Sequence, residues 1–252
     1  MSKCYIIAEA GVNHNGSDEL ALQLVEAAAK SGADAVKFQT FKAENLVSKE
    51  AKTAEYQKLQ TGESNQFNML KKLEISEELH IKLIAKCEQL NIEFLSTPFD
   101  FGLAKYLLDL GMKRIKIPSG ELTNIPFIKK LAGFDVPMIL STGMSSLQEV
   151  KDAVDSIRRV RQDQNFDRPL SEMLTVLHCT SNYPAKYEDI NLNAMQTMLD
   201  ELAIPIGYFL AYSKDVPVLF QSVNGIWIGL SLGLTISAIA LTYRFYYLLR
   251  SK

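Results

Sequence analysis

Histidine, cysteine and tryptophan are scarce in this chain, at three, three and one among 252 residues. Cys4, Cys87 and Cys179 are too few and too scattered for a disulfide framework or a zinc knuckle. The N-terminus, MSKCYIIAEAG, lacks the long apolar stretch of a signal peptide, so a cytoplasmic protein is expected. An excess of basic charge is missing too. Lys and Arg number 27 against 29 Asp and Glu, a net charge of −2. A protein that holds nucleic acid by its phosphates is usually basic, so that class is disfavoured. No low-complexity tract or internal repeat is evident. What is present, 47% hydrophobic and 22% charged residues, fits an ordinary globular core. The length is that of one (β/α)₈ barrel.

Charge is also absent locally. From Val216 to Tyr243 no residue is ionisable at neutral pH, and GIWIGLSLGLTISAIAL is almost wholly apolar or small. That stretch is long enough for a bilayer, which takes about 20 residues. Trp227, Tyr243, Tyr246 and Tyr247 flank it as interface anchors would. Gly225, Gly229 and Gly233 recur every fourth residue, as at close helix contacts in membranes. The expectation for 216–243 is a transmembrane-like helix making membrane contact.

Upstream, short apolar runs alternate with amphipathic ones. Candidate strands are Tyr5–Glu9, Ala35–Thr40, Glu93–Pro98, Arg114–Ser119, Pro137–Thr142 and Leu174–Thr180, with a seventh beginning at Ile204–Tyr208. Helical patterns cover Ser17–Ser31, Ser76–Leu90, Phe101–Leu110, Ser145–Val160 and Leu192–Leu202. Strands alternating with helices imply βαβ units and a parallel sheet, doubly wound or closed into a barrel. Polar residues at the C-terminal ends of the strands favour the barrel, because barrel enzymes keep their active sites there. Residues 41–75 form a long polar excursion, expected to be functional or to carry its own helix, and here read as a flap over the barrel mouth.

Lys37 in AVKFQT and Lys116 in RIKIPS sit inside apolar strands, where a lysine is costly unless paired or serving a ligand. Two such lysines point to an anionic ligand, phosphate or carboxylate. Glu9 and Glu121, at strand ends, could do acid–base work or form salt bridges with these lysines. Thr97, Ser119, Ser141 and Thr142 also fall at strand ends. Glycine follows at Gly120 and Gly143, which would let backbone N–H groups approach an anion. His14 reads as part of an Asn-Gly turn. His178 and Cys179, as strand neighbours, would face opposite sides and form no dyad. His80 reads as a surface residue in mid-helix.

AEAGVNHNG (8–16), VKFQT (36–40), FLSTPF (94–99), KIPSGE (116–121), LSTGM (140–144) and HCT (178–180) stand in one order. Together they resemble the sialic acid synthase family, and TAEYQ (53–57) is similar to its N-acetylneuraminate and legionaminate branch. The resemblance covers 1–208. It implies a (β/α)₈ barrel and a homodimer that condenses phosphoenolpyruvate with an N-acylated mannosamine-type sugar. It implies a divalent metal, Mn or Mg, that activates the sugar aldehyde. By resemblance, Lys37, Thr97, Lys116, Ser119 and Ser141 hold phosphoenolpyruvate. Glu9 and Glu121 position sugar and water, Asn13 binds substrate and Tyr183 lies beside the sugar.

After Tyr208 the resemblance breaks off. The family's two histidine metal ligands would follow, but the chain reads FLAY and contains no histidine beyond His178. A barrel truncated after six to seven strands and impaired in activity is therefore expected. Residues 209–252 resemble the last membrane helix of multidrug and toxin extrusion transporters. Arg244, Arg250 and Lys252 would place the C-terminus in the cytoplasm and the barrel outside, away from phosphoenolpyruvate, so the junction reads as a fusion or frameshift. Two other readings remain open: a barrel aldolase using Lys37 or Lys116 as a Schiff base, and a non-catalytic, membrane-associated fragment.

Overall fold

The computed structural model describes residues 4–49, 65–180, 185, 187–202, 204 and 206–208. Seven strands appear among them: β1 (Ile7–Gly11), β2 (Ala35–Thr40), β3 (Glu93–Pro98), β4 (Ile115–Ile117), β5 (Met138–Ser141), β6 (Leu174–His178) and β7 (Ile206–Tyr208). Every pair is parallel, in the order β1-β2-β3 and β4-β5-β6-β7, and β3 lies beside β4. The order never reverses. A doubly wound sheet needs a reversal at its switch point, whereas a barrel wall runs on in sequence.

Helices return the chain between strands. They are α1 (Asp18–Lys30), α2 (Ala43–Leu46), α3 (Gln66–Lys72), α4 (Glu77–Gln89), α5 (Phe101–Asp109), α6 (Ile125–Ala132), α7 (Leu147–Asp163), α8 (Leu170–Met173) and α9 (Leu192–Leu202). Side-chain caps start the long ones. Ser17 accepts from the Leu20 N–H, Ser76 from Leu79 and Asp100 from Leu103. Ser146 and Glu149 form a reciprocal capping box on α7. Each cap satisfies a backbone N–H that the helix leaves open and is worth about 1 kcal/mol.

Register decides which residues meet inside. Glu9, Lys37 and Leu95 are successive partners across β1, β2 and β3. Lys116, Ile139 and Thr175 are partners across β4, β5 and β6. Side chains alternate along a strand, so these rows and their i+2 neighbours Gln39, Thr97, Ser141 and Leu177 line the interior. Val36, Phe38, Thr40, Phe94 and Ser96 face the helices. Phe38 stacks on Phe94 with centroids 6.1 Å apart, inside a continuous apolar core.

One expectation is corrected, and one helix is added. His80 is not on the surface: it is 1% exposed, with Nε2 2.8 Å from Thr40 Oγ1 and Nδ1 2.8 Å from the Ser76 carbonyl. It falls on the buried stripe of α4 with Leu79, Leu83 and Cys87. The 41–75 excursion carries helices of its own, α2 and α3, as expected for so long a segment; residues 50–64 lie outside the described set. Helix α6 was not anticipated, although Asn124 caps it and Pro126 stands in its first turn, both ordinary start signals. No helix among the described residues is long and apolar enough to cross a membrane. The expected span at 216–243 lies outside them.

Candidate anion site

The strands bring the two lysines and Glu9 to one mouth. Lys37 Nζ lies 2.6 Å from Glu9 Oε2 and donates to Thr97 Oγ1 at 3.2 Å. Lys37 and Thr97 are 4% and 2% exposed, so this pair is shielded from water. Lys116, 6% exposed, shows no hydrogen bond or ion pair among the described residues. Burial pushes its amine down to about 8, and the neighbouring Lys37 charge adds to that, while Cys179 and Glu9 oppose it. At neutral pH the mouth therefore holds two ammonium groups and one carboxylate. A buried charge without a counter-ion costs several kcal/mol, and an anion entering the mouth would relieve that cost.

Hydroxyls stand after β4 and at the end of β5. Ser141 is buried at the end of β5. Ser119 Oγ accepts the Gly143 N–H at 3.0 Å, which ties the loop after β4 to the loop after β5. A Cβ on Gly143 would stand 2.9 Å from Ser119 Oγ, so glycine is needed for that approach. The expected role of Gly143 shifts accordingly, since its N–H is spent on Ser119. Thr142 faces the other way, donating to the Leu177 carbonyl at 2.8 Å.

The structure does not gather every expected residue. Glu121 sits on a 3₁₀ turn, Ser119–Glu121, beyond β4, and accepts from Asn124 Nδ2 at 2.7 Å. It makes no ion pair with Lys37 or Lys116 among the described residues. Asn13 is exposed in the turn after β1, its backbone N–H bonded to the Ala10 carbonyl at 3.0 Å. Tyr183 lies outside the described residues. His14 is fully buried, with Nδ1 accepting the Gly16 N–H at 3.1 Å, so its turn is pinned by its own ring. His178 ends β6 and Cys179 follows it. Both border a cleft of about 460 Å³ reached from α7 and α9, because strand alternation stops at His178.

Among the described residues no three His, Cys, Asp or Glu side chains come together as a metal site. The donors at the mouth do not fit a divalent cation either. Glu9 is engaged by Lys37, and the remaining charged groups are ammoniums that repel a cation.

The model of the NeuB family matches residues 24–209. The chain belongs to the NeuB family. It is 54% identical over 206 residues to the N,N'-diacetyllegionaminic acid synthase of Legionella pneumophila, a match covering 81% of this chain and 56% of that protein. The enzyme of the same name from Campylobacter jejuni is 47% identical, over 82% of this chain and 60% of its own length. Among solved structures, the N-acetylneuraminic acid synthetase of Leptospira borgpetersenii aligns at a TM-score of 0.70 and 30% identity, over 86% of this chain and 69% of that one. This NeuB chain thus spans a little over half the length of the curated relatives it matches.

The ion pair makes a direct stability prediction. Glu9→Gln leaves the Lys37 ammonium buried without a counter-charge and should cost about 3 kcal/mol. Adding Lys37→Met should recover much of that loss, because the orphaned charge is removed. Urea unfolding of the three proteins checks the order; a double variant less stable than Glu9→Gln alone would contradict it.

Proposed function

We propose that the described residues form the phosphoenolpyruvate half of a synthase for nonulosonic acids, sugars of the sialic and legionaminic type. The observation that carries this reading is the uncompensated Lys116 ammonium beside the Glu9–Lys37–Thr97 cluster. Phosphoenolpyruvate has two anionic ends, and the mouth has two ammoniums and several hydroxyls. Lys37 and Lys116, with Thr97, Ser119 and Ser141, hold the carboxylate and the phosphate. Glu9 Oε1 is buried without a hydrogen-bond partner among the described residues, so it is free to accept from a sugar hydroxyl or a water.

In the proposed reaction the enol carbon of phosphoenolpyruvate bonds to the aldehyde carbon of an open-chain N-acylated mannosamine-type sugar. Water adds to the adjacent carbon, and inorganic phosphate leaves. Glu9 orients sugar and water, and Glu121 does so from the rim. The names of the relatives support a product of the N-acetylneuraminate or legionaminate type. A homodimer and a cytoplasmic setting, where phosphoenolpyruvate is available, belong to the same proposal. So does weakened turnover, because no histidine follows His178.

Calorimetry with phosphoenolpyruvate, followed by a phosphate-release assay with manganese and N-acetylmannosamine, tests this reading. Binding should be measurable and should weaken about tenfold or more in Lys116→Ala, the loss of one charge-assisted contact. Sugar-dependent phosphate release should be much slower than that of a full-length relative. Absence of binding sinks the site, and full turnover sinks the impairment.

The unpartnered amine of Lys116 also favours a second reading, an imine with a keto acid. Borohydride reduction in the presence of pyruvate decides it. An adduct on Lys116 supports the aldolase-like chemistry, and an unmodified Lys116 removes it.

A further inference from the structure

His80 takes no part in the chemistry above, yet it is buried behind the two strands that carry Lys37 and Thr97. The Ser76 carbonyl can only accept, so His80 Nδ1 is the protonated nitrogen and donates to it at 2.8 Å. With the ring neutral, as burial favours, Nε2 is then an acceptor and takes the Thr40 hydroxyl proton at 2.8 Å. Thr40 Oγ1 in turn accepts from Ser96 Oγ at 2.7 Å. One chain of hydrogen bonds therefore runs from α4 to β2 and on to β3. All its side chains are inaccessible: His80 is 1% exposed, Thr40 2% and Ser96 0%. The ring is wedged edge-on against Phe94 and Tyr106, at 6.3 and 5.5 Å between centroids.

The two faces of this strand pair are coupled by register. Phe38 pairs with Ser96 and Gln39 with Thr97. On the helix side the link between strands is Ser96 to Thr40, and on the barrel side it is Lys37 to Thr97. Sliding β3 against β2 breaks both links together.

We propose that His80 is a positioning residue for the anion site: through Thr40 and Ser96 it holds β2 and β3 in the register that brings Thr97 to Lys37. The functional part of this inference rests on the phosphoenolpyruvate reading. Buried networks of this kind are worth more intact than their separate bonds. Losing one member should therefore loosen the ammonium on the opposite face.

Wild type, His80→Phe, Thr40→Val and His80→Gln are compared well below the Tm of each. Two quantities are read: phosphoenolpyruvate affinity by calorimetry, and the rate of Lys37 acetylation by acetic anhydride, followed by mass spectrometry. His80→Phe and Thr40→Val should weaken binding about tenfold and speed Lys37 acetylation by a similar factor. His80→Gln, whose amide can still bond Thr40, should stay within about threefold of wild type on both readouts. A folded Phe or Val variant with wild-type affinity and a shielded Lys37 overturns the proposal, since a merely structural role would lower Tm alone. Should His80→Phe not fold, Thr40→Val, which removes a single hydroxyl, carries the test. If wild type binds no phosphoenolpyruvate, the site reading fails, and Lys37 acetylation decides the positioning claim by itself.

Discussion

The ion pair between Glu9 and Lys37, 2.6 Å long with the lysine buried and the carboxylate partly so, sets the terms for the rest of the mouth. It consumes the one carboxylate that the register places beside the lysines. Lys116 is then left without a partner in the same interior. Desolvation lowers its amine to about 8, yet at neutral pH most of it still carries charge. An anion bound beside it would offset that cost. Thr97, Ser119 and Ser141 add hydroxyls at the ends of neighbouring strands. The Lys116 amine, 6% exposed, is thus a charge in the mouth with no ion pair among the described residues.

Much of this was legible from the sequence. AVKFQT and EFLSTP are largely apolar runs, and the structure returns them with the bounds their composition implies, Ala35–Thr40 and Glu93–Pro98. A lysine inside such a strand has few innocent explanations, so Lys37 and Lys116 were found without any contact information. What pairwise geometry decides was not legible. Nothing in the spacing could show that Glu9 rather than Glu121 reaches Lys37, because strand register fixes that choice. Helix α6 escaped because its eight residues are too few for a strong periodic signal. His80 escaped for another reason. Its neighbours Glu77, Glu78 and Lys82 make the segment look exposed. The spacing 80, 83, 87 nonetheless puts it on the apolar stripe, and that signal was available.

Membership in the NeuB family is carried by residues 24–209, and the chain covers 56% and 60% of the Legionella and Campylobacter enzymes. The strands that hold the lysines, β2 and β4, fall inside that range, whereas β1, which brings Glu9, precedes it. The charge-free segment 216–243 and the transporter-like pattern around it stand outside the described residues. Two buried lysines stand at one mouth, and no cluster of metal-ligating side chains is found among the described residues.

The central claim is that Lys116 is a buried amine whose charge the ligand restores. The most direct measurement is proton uptake on binding phosphoenolpyruvate at pH 8, obtained by calorimetry in buffers of different ionisation enthalpy. The phosphate of the ligand is already fully ionised there and contributes no proton. With the free amine titrating near 8, binding should take up about half a proton per ligand, and Lys116→Met should abolish the uptake. Binding with no proton uptake in the wild-type protein would contradict the account.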